Sequence, residues 1–80
     1  MHGYGSKSLR ILRVLQWLWR PQKLGALHAL LEDIPPTSLS AFLVGMVQRG
    51  QAARSGAPGE YRFALGPKGA EYLKFFHPLD

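Results

Sequence analysis

A proline-marked break between two leucine-rich segments most constrains what this chain can fold into. The leucines of residues 24–31 recur at helical spacing, and Ile34-Pro35-Pro36 then stops that helix. An amphipathic segment follows from Pro36 to Arg49, with the proline at a first helical position, where its missing amide proton costs nothing. Gly50 matches the left-handed residue that commonly ends a helix. The sequence therefore predicts two short helices joined by a tight turn.

The segment after Gly50 predicts a β-hairpin that leads into a last helix. Residues 61–65 alternate in the period of a strand, and the side chains expected to point inward are Tyr61, Phe63 and Leu65. The turn formers of residues 55–59 separate this strand from an earlier one that begins near Gln51. The sequence Gly-Pro-Lys-Gly of residues 66–69 opens a helix that is expected to run from Lys68 to about Phe76.

A first helix is predicted from about Lys7 to Trp19, with Ser6 as its N-cap and Pro21 as its stop. The second helix is expected to run from Leu24 to Leu31, with Gln22 and Lys23 at its entry. Core positions recur at spacings of three and four. They are Ile11, Leu12, Leu15, Leu18 and Trp19 in the first helix, Leu24, Leu27, Leu30 and Leu31 in the second, and Leu39, Phe42, Leu43, Met46 and Val47 in the third. Residues 1–6 are expected to form a flexible arm, residues 7–77 one domain and residues 78–80 a tail.

The predicted order of helix, turn, helix, two strands and helix is typical of a winged helix-turn-helix. This fold is mainly α with a small β-hairpin wing, and it lays one helix in the DNA major groove with the hairpin beside it. Ten Lys and Arg against five Asp and Glu give a net charge of +5, which suits a polyanionic partner such as nucleic acid or an acidic membrane surface. The alternative is a basic surface that is simply solvated, and of these we favour nucleic acid. No segment approaches the roughly 20 apolar residues of a spanning helix, so no membrane partner is expected.

Two stretches resemble a known group of regulators. The sequence of residues 36–50, PTSLSAFLVGMVQRG, is similar to the recognition helix of MarR-like and PadR-like winged-helix regulators. The sequence of residues 61–73, YRFALGPKGAEYL, is similar to their second wing strand and the helix opening that ends the wing. The resemblance implies a small transcriptional regulator that binds double-stranded DNA.

The outward face of the third helix holds the candidates for base contacts, namely Thr37, Ser38, Ser40, Gln48 and Arg49. Regulators of the resembling type often carry Arg, Lys or Gln at the centre of this face, whereas here Ala41, Val44 and Gly45 stand there. Ala41 or Val44 could touch thymine methyl groups. Alternatively, this smooth face packs against another protein, and the chain is then a non-enzymatic interaction adaptor that uses a winged-helix fold.

The predicted hairpin, or wing, carries more positive charge than the outward face of the third helix. Arg54 and Arg62 flank its tip, where arginine can reach phosphates or a minor groove without demanding geometry. The alternative is two solvated arginines, one of them paired with Glu60. Lys68, at the opening of the last helix, is a further basic candidate for DNA contact.

Two aromatic residues have no obvious place in the core. Trp17 falls opposite the core stripe of the first helix, on a face that also carries Arg10, Arg13 and Arg20. It either packs beneath the arginine stems or contacts a partner. Phe75 lies off the packing face of the last helix, and it either completes a monomer core or joins Trp17 in the interface of a homodimer.

No residue pattern indicates catalysis. The five carboxylates are scattered, and Glu32 and Asp33, the only neighbours, point apart on a helix. The chain has no cysteine, which excludes disulfides and thiolate metal sites and fits a reducing cytoplasm. His28 has no companion at ligand spacing. We therefore expect no enzyme activity, no metal and no cofactor.

Overall fold

The computed structural model describes residues 3–75, which form four helices and one three-stranded sheet. In chain order the elements are α1 (Gly3–Leu18), β1 (Gln22–Lys23), α2 (Leu24–Leu30), α3 (Pro36–Gln48), β2 (Ala52–Ser55), β3 (Arg62–Leu65) and α4 (Pro67–Phe75). The fold is thus mainly helical with a small antiparallel sheet. Among the described residues, no helix has both the length and the apolar character needed to cross a bilayer.

The sheet has the strand order β1-β3-β2, with both neighbouring pairs antiparallel. The β2–β3 hairpin lies where the alternation of residues 61–65 predicts it. Helix α2 begins at Leu24, as predicted. Strand β1 was not predicted: Gln22 and Lys23, at the entry to α2, pair with Phe63 and Arg62. A two-residue strand carries too little periodicity for a sequence signal.

One hydrophobic core joins all four helices to the inner face of the sheet. The predicted buried face of α3 is confirmed, since Leu39, Leu43 and Met46 are fully buried and Phe42 and Val47 pack against them. The buried apolar residues are Ile11, Leu12, Leu15, Leu27, Leu31, Ile34, Leu39, Leu43, Met46, Ala52, Phe63 and Leu73. Gly50 follows α3 with φ of +79°, so the predicted left-handed helix end is also confirmed.

Three expectations about helix ends are wrong. Helix α1 begins at Gly3, so Ser6 lies inside it and is not its N-cap, and residues 3–6 of the expected arm are helical. At the other end, Trp19 has φ of +48° and is 74% exposed, because the helix ends at Leu18 and the reversed backbone turns this side chain outward. Leu30 is 47% exposed because α2 ends there, so its predicted core place is wrong, whereas Leu31 is buried as predicted.

The remaining boundary predictions fall partly outside the described residues. Helix α4 begins at Pro67, one residue before its predicted start, and is described as far as Phe75. Residues 1 and 2 of the expected arm, the expected helix end at Phe76 and the expected tail of residues 78–80 lie outside residues 3–75.

Candidate nucleic-acid interface

Helix α3 presents an uncharged crest, which we define as Thr37, Ala41, Val44 and Gln48. All four side chains are exposed, and Val44 is the largest apolar one, at 40% exposure. They lie opposite Leu39, Leu43 and Met46, as the helical period requires. The crest therefore offers two hydrogen-bonding side chains and two small apolar ones to whatever contacts α3.

One flank of α3 faces the hairpin across an open cleft of about 320 Å³. We call it the hairpin cleft, and its lining residues are Lys23, Leu24, Gly25, Ser40, Gly59, Tyr61 and Phe63. The fold thus brings Ser40 of α3, Lys23 of β1 and the end of the hairpin to a single concavity. A convex polyanion that contacts the crest would meet this cleft next.

Arg54 lies on the hairpin above the aromatic wall of this cleft. Its guanidinium carbon is 4.3 Å from the ring centroid of Tyr61, within the range of a cation–π contact. The stack holds the charge at the tip of the hairpin without neutralising it. Within residues 3–75, neither Arg54 nor Arg62 forms an ion pair with Glu60, so the expected alternative pairing is not present.

Arg62 lies on the opposite face of the sheet from Arg54. Its cross-strand partners are Ser55 on β2 and Lys23 on β1, so these three side chains form one row on the outer face. Lys23 and Arg62 are both exposed. Directly opposed like charges destabilise a sheet slightly unless an anion lies between them. Sequence reasoning missed Lys23, and only recognition of β1 as a strand could have paired it with Arg62.

Three predicted site residues lie away from the hairpin cleft. Ser38 and Arg49 are on the other flank of α3, where they line a groove against Ser8 of α1. Lys68 packs its aliphatic stem over Gly50, with Cγ and Cδ each 3.4 Å from the position that a Cβ there would occupy. Of the predicted site residues, the structure therefore places Ser40 in the hairpin cleft and Arg54 on its Tyr61 wall. Arg62 lies on the outer face of the sheet beside Lys23, and Thr37 and Gln48 lie on the crest of α3.

The two predicted interface aromatics are exposed. Trp17 is 72% exposed, so it does not pack beneath the arginine stems, and Phe75 is 83% exposed, so it does not complete the core of this domain. Trp19 adds a third exposed ring, which lies 4.8 Å from the guanidinium carbon of Arg20. These rings form apolar surface on elements other than α3 and the hairpin.

Comparison with known proteins identifies no relative of this chain. No protein-family model matches the chain, and no curated protein or solved structure matches it significantly. Residues 3–75 hold no group of three or more histidine, cysteine, aspartate or glutamate side chains placed to bind a metal ion. The interpretation of this surface therefore rests on its own geometry and charge.

Proposed function

We propose that this chain is a winged helix-turn-helix domain that binds double-stranded DNA, as a small transcriptional regulator. The observation that carries the proposal is the opposed pair of Lys23 and Arg62 on the sheet, next to the Arg54–Tyr61 stack and the hairpin cleft. Lys23 and Arg62 thus place two cations on the outer face of the sheet, and Arg54 places a third on its other face near the end of the hairpin. A DNA phosphate between Lys23 and Arg62 would relieve their mutual repulsion.

In this proposal the α3 crest enters the major groove and the hairpin follows the adjacent backbone. Thr37 and Gln48 supply hydrogen-bonding groups for base edges, and Ala41 and Val44 supply apolar contact for thymine methyl groups. The net charge of +5 adds attraction that does not depend on base sequence. Affinity would come mainly from the hairpin cations, and discrimination between sequences from the crest.

The test is fluorescence anisotropy of a labelled duplex, titrated with the wild type and with Lys23→Ala and Arg62→Ala at two salt concentrations. Each substitution removes one phosphate contact, so each should weaken binding to all duplex sequences and reduce the slope of log K against log salt by about 0.9. Lys74→Ala is the matched control, because Lys74 is an exposed cation in the last turn of α4. Slopes unchanged from the wild type, or an equal change in the control, would remove the sheet pair from the interface.

A second function, that of a protein-interaction adaptor, is favoured by one observation. Val44 is 40% exposed beside the exposed Ala41, and the crest of α3 carries no charged side chain. Such a surface suits a partner protein as well as a thymine-rich groove. A wild type that fails to bind duplex DNA even at low salt would support the adaptor and contradict the DNA-binding proposal.

A further inference from the structure

The flank of α3 that faces away from the hairpin forms a second concavity with α1. This α1–α3 groove has a volume of about 370 Å³ and is lined by Ser8, Ser38, Ala41, Phe42, Gly45 and Arg49. The volume lies at the lower end of the range for small-molecule sites. The lining residues of α3 follow one another along its axis from Ser38 to Arg49, about 16 Å at 1.5 Å per residue. The groove is therefore long and narrow.

A guanidinium group lies at one end of the α1–α3 groove. The Nε of Arg49 donates a hydrogen bond of 3.2 Å to Oε1 of Gln51. Its Nη1 lies 3.2 Å from the position that a Cβ on Gly45 would occupy, so the glycine makes room for the charged group over α3. Among residues 3–75, no carboxylate forms an ion pair with Arg49. The two terminal nitrogens are thus available to an acidic ligand.

A buried hydroxyl group lines the same groove. Ser8 of α1 is only 8% exposed, and within the described residues its hydroxyl has no hydrogen-bond partner. Buried polar groups are normally hydrogen-bonded, so an unpartnered one that faces a cavity indicates a missing partner. Phe42 and Ala41 provide the apolar part of the lining between the polar groups.

We propose that the α1–α3 groove binds a linear organic carboxylate. Its two oxygens meet the terminal nitrogens of Arg49, the pairing for which the planar guanidinium is suited. Its chain lies along Gly45, Ala41 and Phe42 towards Ser38. The hydroxyl of Ser8 donates a further hydrogen bond to one of the same two carboxylate oxygens. This site is separate from the hairpin cleft and does not require the proposed DNA-binding function.

The probe for this site is octanoate, followed by amide chemical shifts in ¹⁵N-labelled protein. We expect saturable shifts at Ala41, Gly45 and Arg49 with a Kd of about 1 mM, as for other ligands of this size with one charged contact. Octanol should bind at least tenfold more weakly, because it lacks the charge that Arg49 recognises. Octanol binding as tightly as octanoate, or the absence of saturable shifts in these residues, would overturn the proposal.

Three variants separate loss of the site from loss of folding. Arg49→Gln should weaken octanoate binding at least tenfold, whereas Arg54→Gln, which changes an exposed arginine on the hairpin, should leave it unchanged. Gly45→Ala should fold, because alanine is a better helix former than glycine, yet displace the guanidinium and weaken binding several-fold. Wild-type octanoate affinity in Arg49→Gln would contradict the proposed site.

A consequence for DNA binding rests on the proposed function. Because Ala41 belongs to both the crest and the groove, bound octanoate should raise the apparent Kd for duplex several-fold. If octanoate binds but the affinity for duplex does not change, only the proposed competition is contradicted. The carboxylate site and the DNA-binding proposal are unaffected by that result. Failure of the wild type to bind duplex would contradict the proposed function and leave the carboxylate site standing.

Discussion

Arg10 on α1 and Asp33 in the turn between α2 and α3 form a bidentate ion pair. The distances from Nη1 to Oδ2 and from Nη2 to Oδ1 are both 2.7 Å. The hydrogen bonds from Arg10 lower the pKa of Asp33 to about 2. Although both side chains are partly exposed to solvent, the pair connects α1 to the turn from which α3 begins.

The first prediction is a pH dependence of this connection. A lowered pKa in the folded state means that the pair stabilises the fold above the ordinary pKa of 3.8 and loses that effect as the pH falls through about 2. Asp33→Asn should therefore lower the Tm at pH 7, and the difference from the wild type should shrink between pH 4 and pH 2. Glu32→Gln, at the exposed neighbouring position, is the control. A Tm difference equal at pH 7 and pH 2 would contradict the role of this pair.

The second prediction compares two adjacent residues of α3. Leu43 is fully buried and Val44 is 40% exposed. Leu43→Ala should lower the free energy of unfolding by about 2–5 kcal/mol, because it leaves a cavity in the core. Val44→Ala should change it by less than about 0.5 kcal/mol. Urea denaturation measures both, and equal losses would mean that α3 does not turn Leu43 into the core and Val44 towards solvent.

The third prediction concerns the crest. Gln48→Glu adds a negative charge to the crest that the proposal places in the major groove, so repulsion by the surrounding DNA phosphates should lower the affinity for duplex. Gln16→Glu makes the same change at an exposed position of α1 and should reduce affinity much less. Duplex titrations of the two variants under identical salt provide the measurement. Full retention of binding in Gln48→Glu would indicate that the crest contacts something other than DNA.

The fourth prediction is self-association. Trp17 and Phe75 are exposed, and a two-fold DNA regulator needs a dimer surface away from its recognition helix. We expect a homodimer joined through α1 and α4, with nearby arginines at its polar rim. Sedimentation of the wild type and of the Trp17→Ala/Phe75→Ala double variant tests this expectation. A wild type that stays monomeric at high micromolar concentration would make the dimer wrong.

Regular periodicity made most of the fold predictable. Leu39, Leu43 and Met46 repeat at three and four, and Gly50 takes the conformation that its position after α3 requires. The wrong core assignments arise where the backbone ends a helix that the repeat of apolar residues would continue. Trp19 falls on the core stripe of an ideal helix, but a positive φ at that residue ends the helix and exposes its ring.

The candidate site was less predictable than the fold because it depends on pairing between distant segments. Arg54 and Arg62 flank the hairpin tip in sequence, yet their register with β3 and β2 puts them on opposite faces of the sheet. Lys23 gains its place beside Arg62 only through β1, whose two residues have no detectable period. Residue type and spacing therefore predict that Arg54 and Arg62 lie on the hairpin, but they do not predict which face each occupies or that Lys23 lies beside Arg62.

The most direct test of the DNA-binding account is a map of backbone amide shifts as unlabelled duplex is added to ¹⁵N-labelled protein. The account predicts shifts that increase with duplex concentration in Gln48 of the crest, in Lys23 of β1 and in Arg54 and Arg62 of the hairpin, with little change at Lys74 of α4. Raising the salt concentration should reverse them. Shifts confined to the region of Trp17, or no shifts at low salt, would contradict the claim that α3 and the hairpin form a DNA-binding surface.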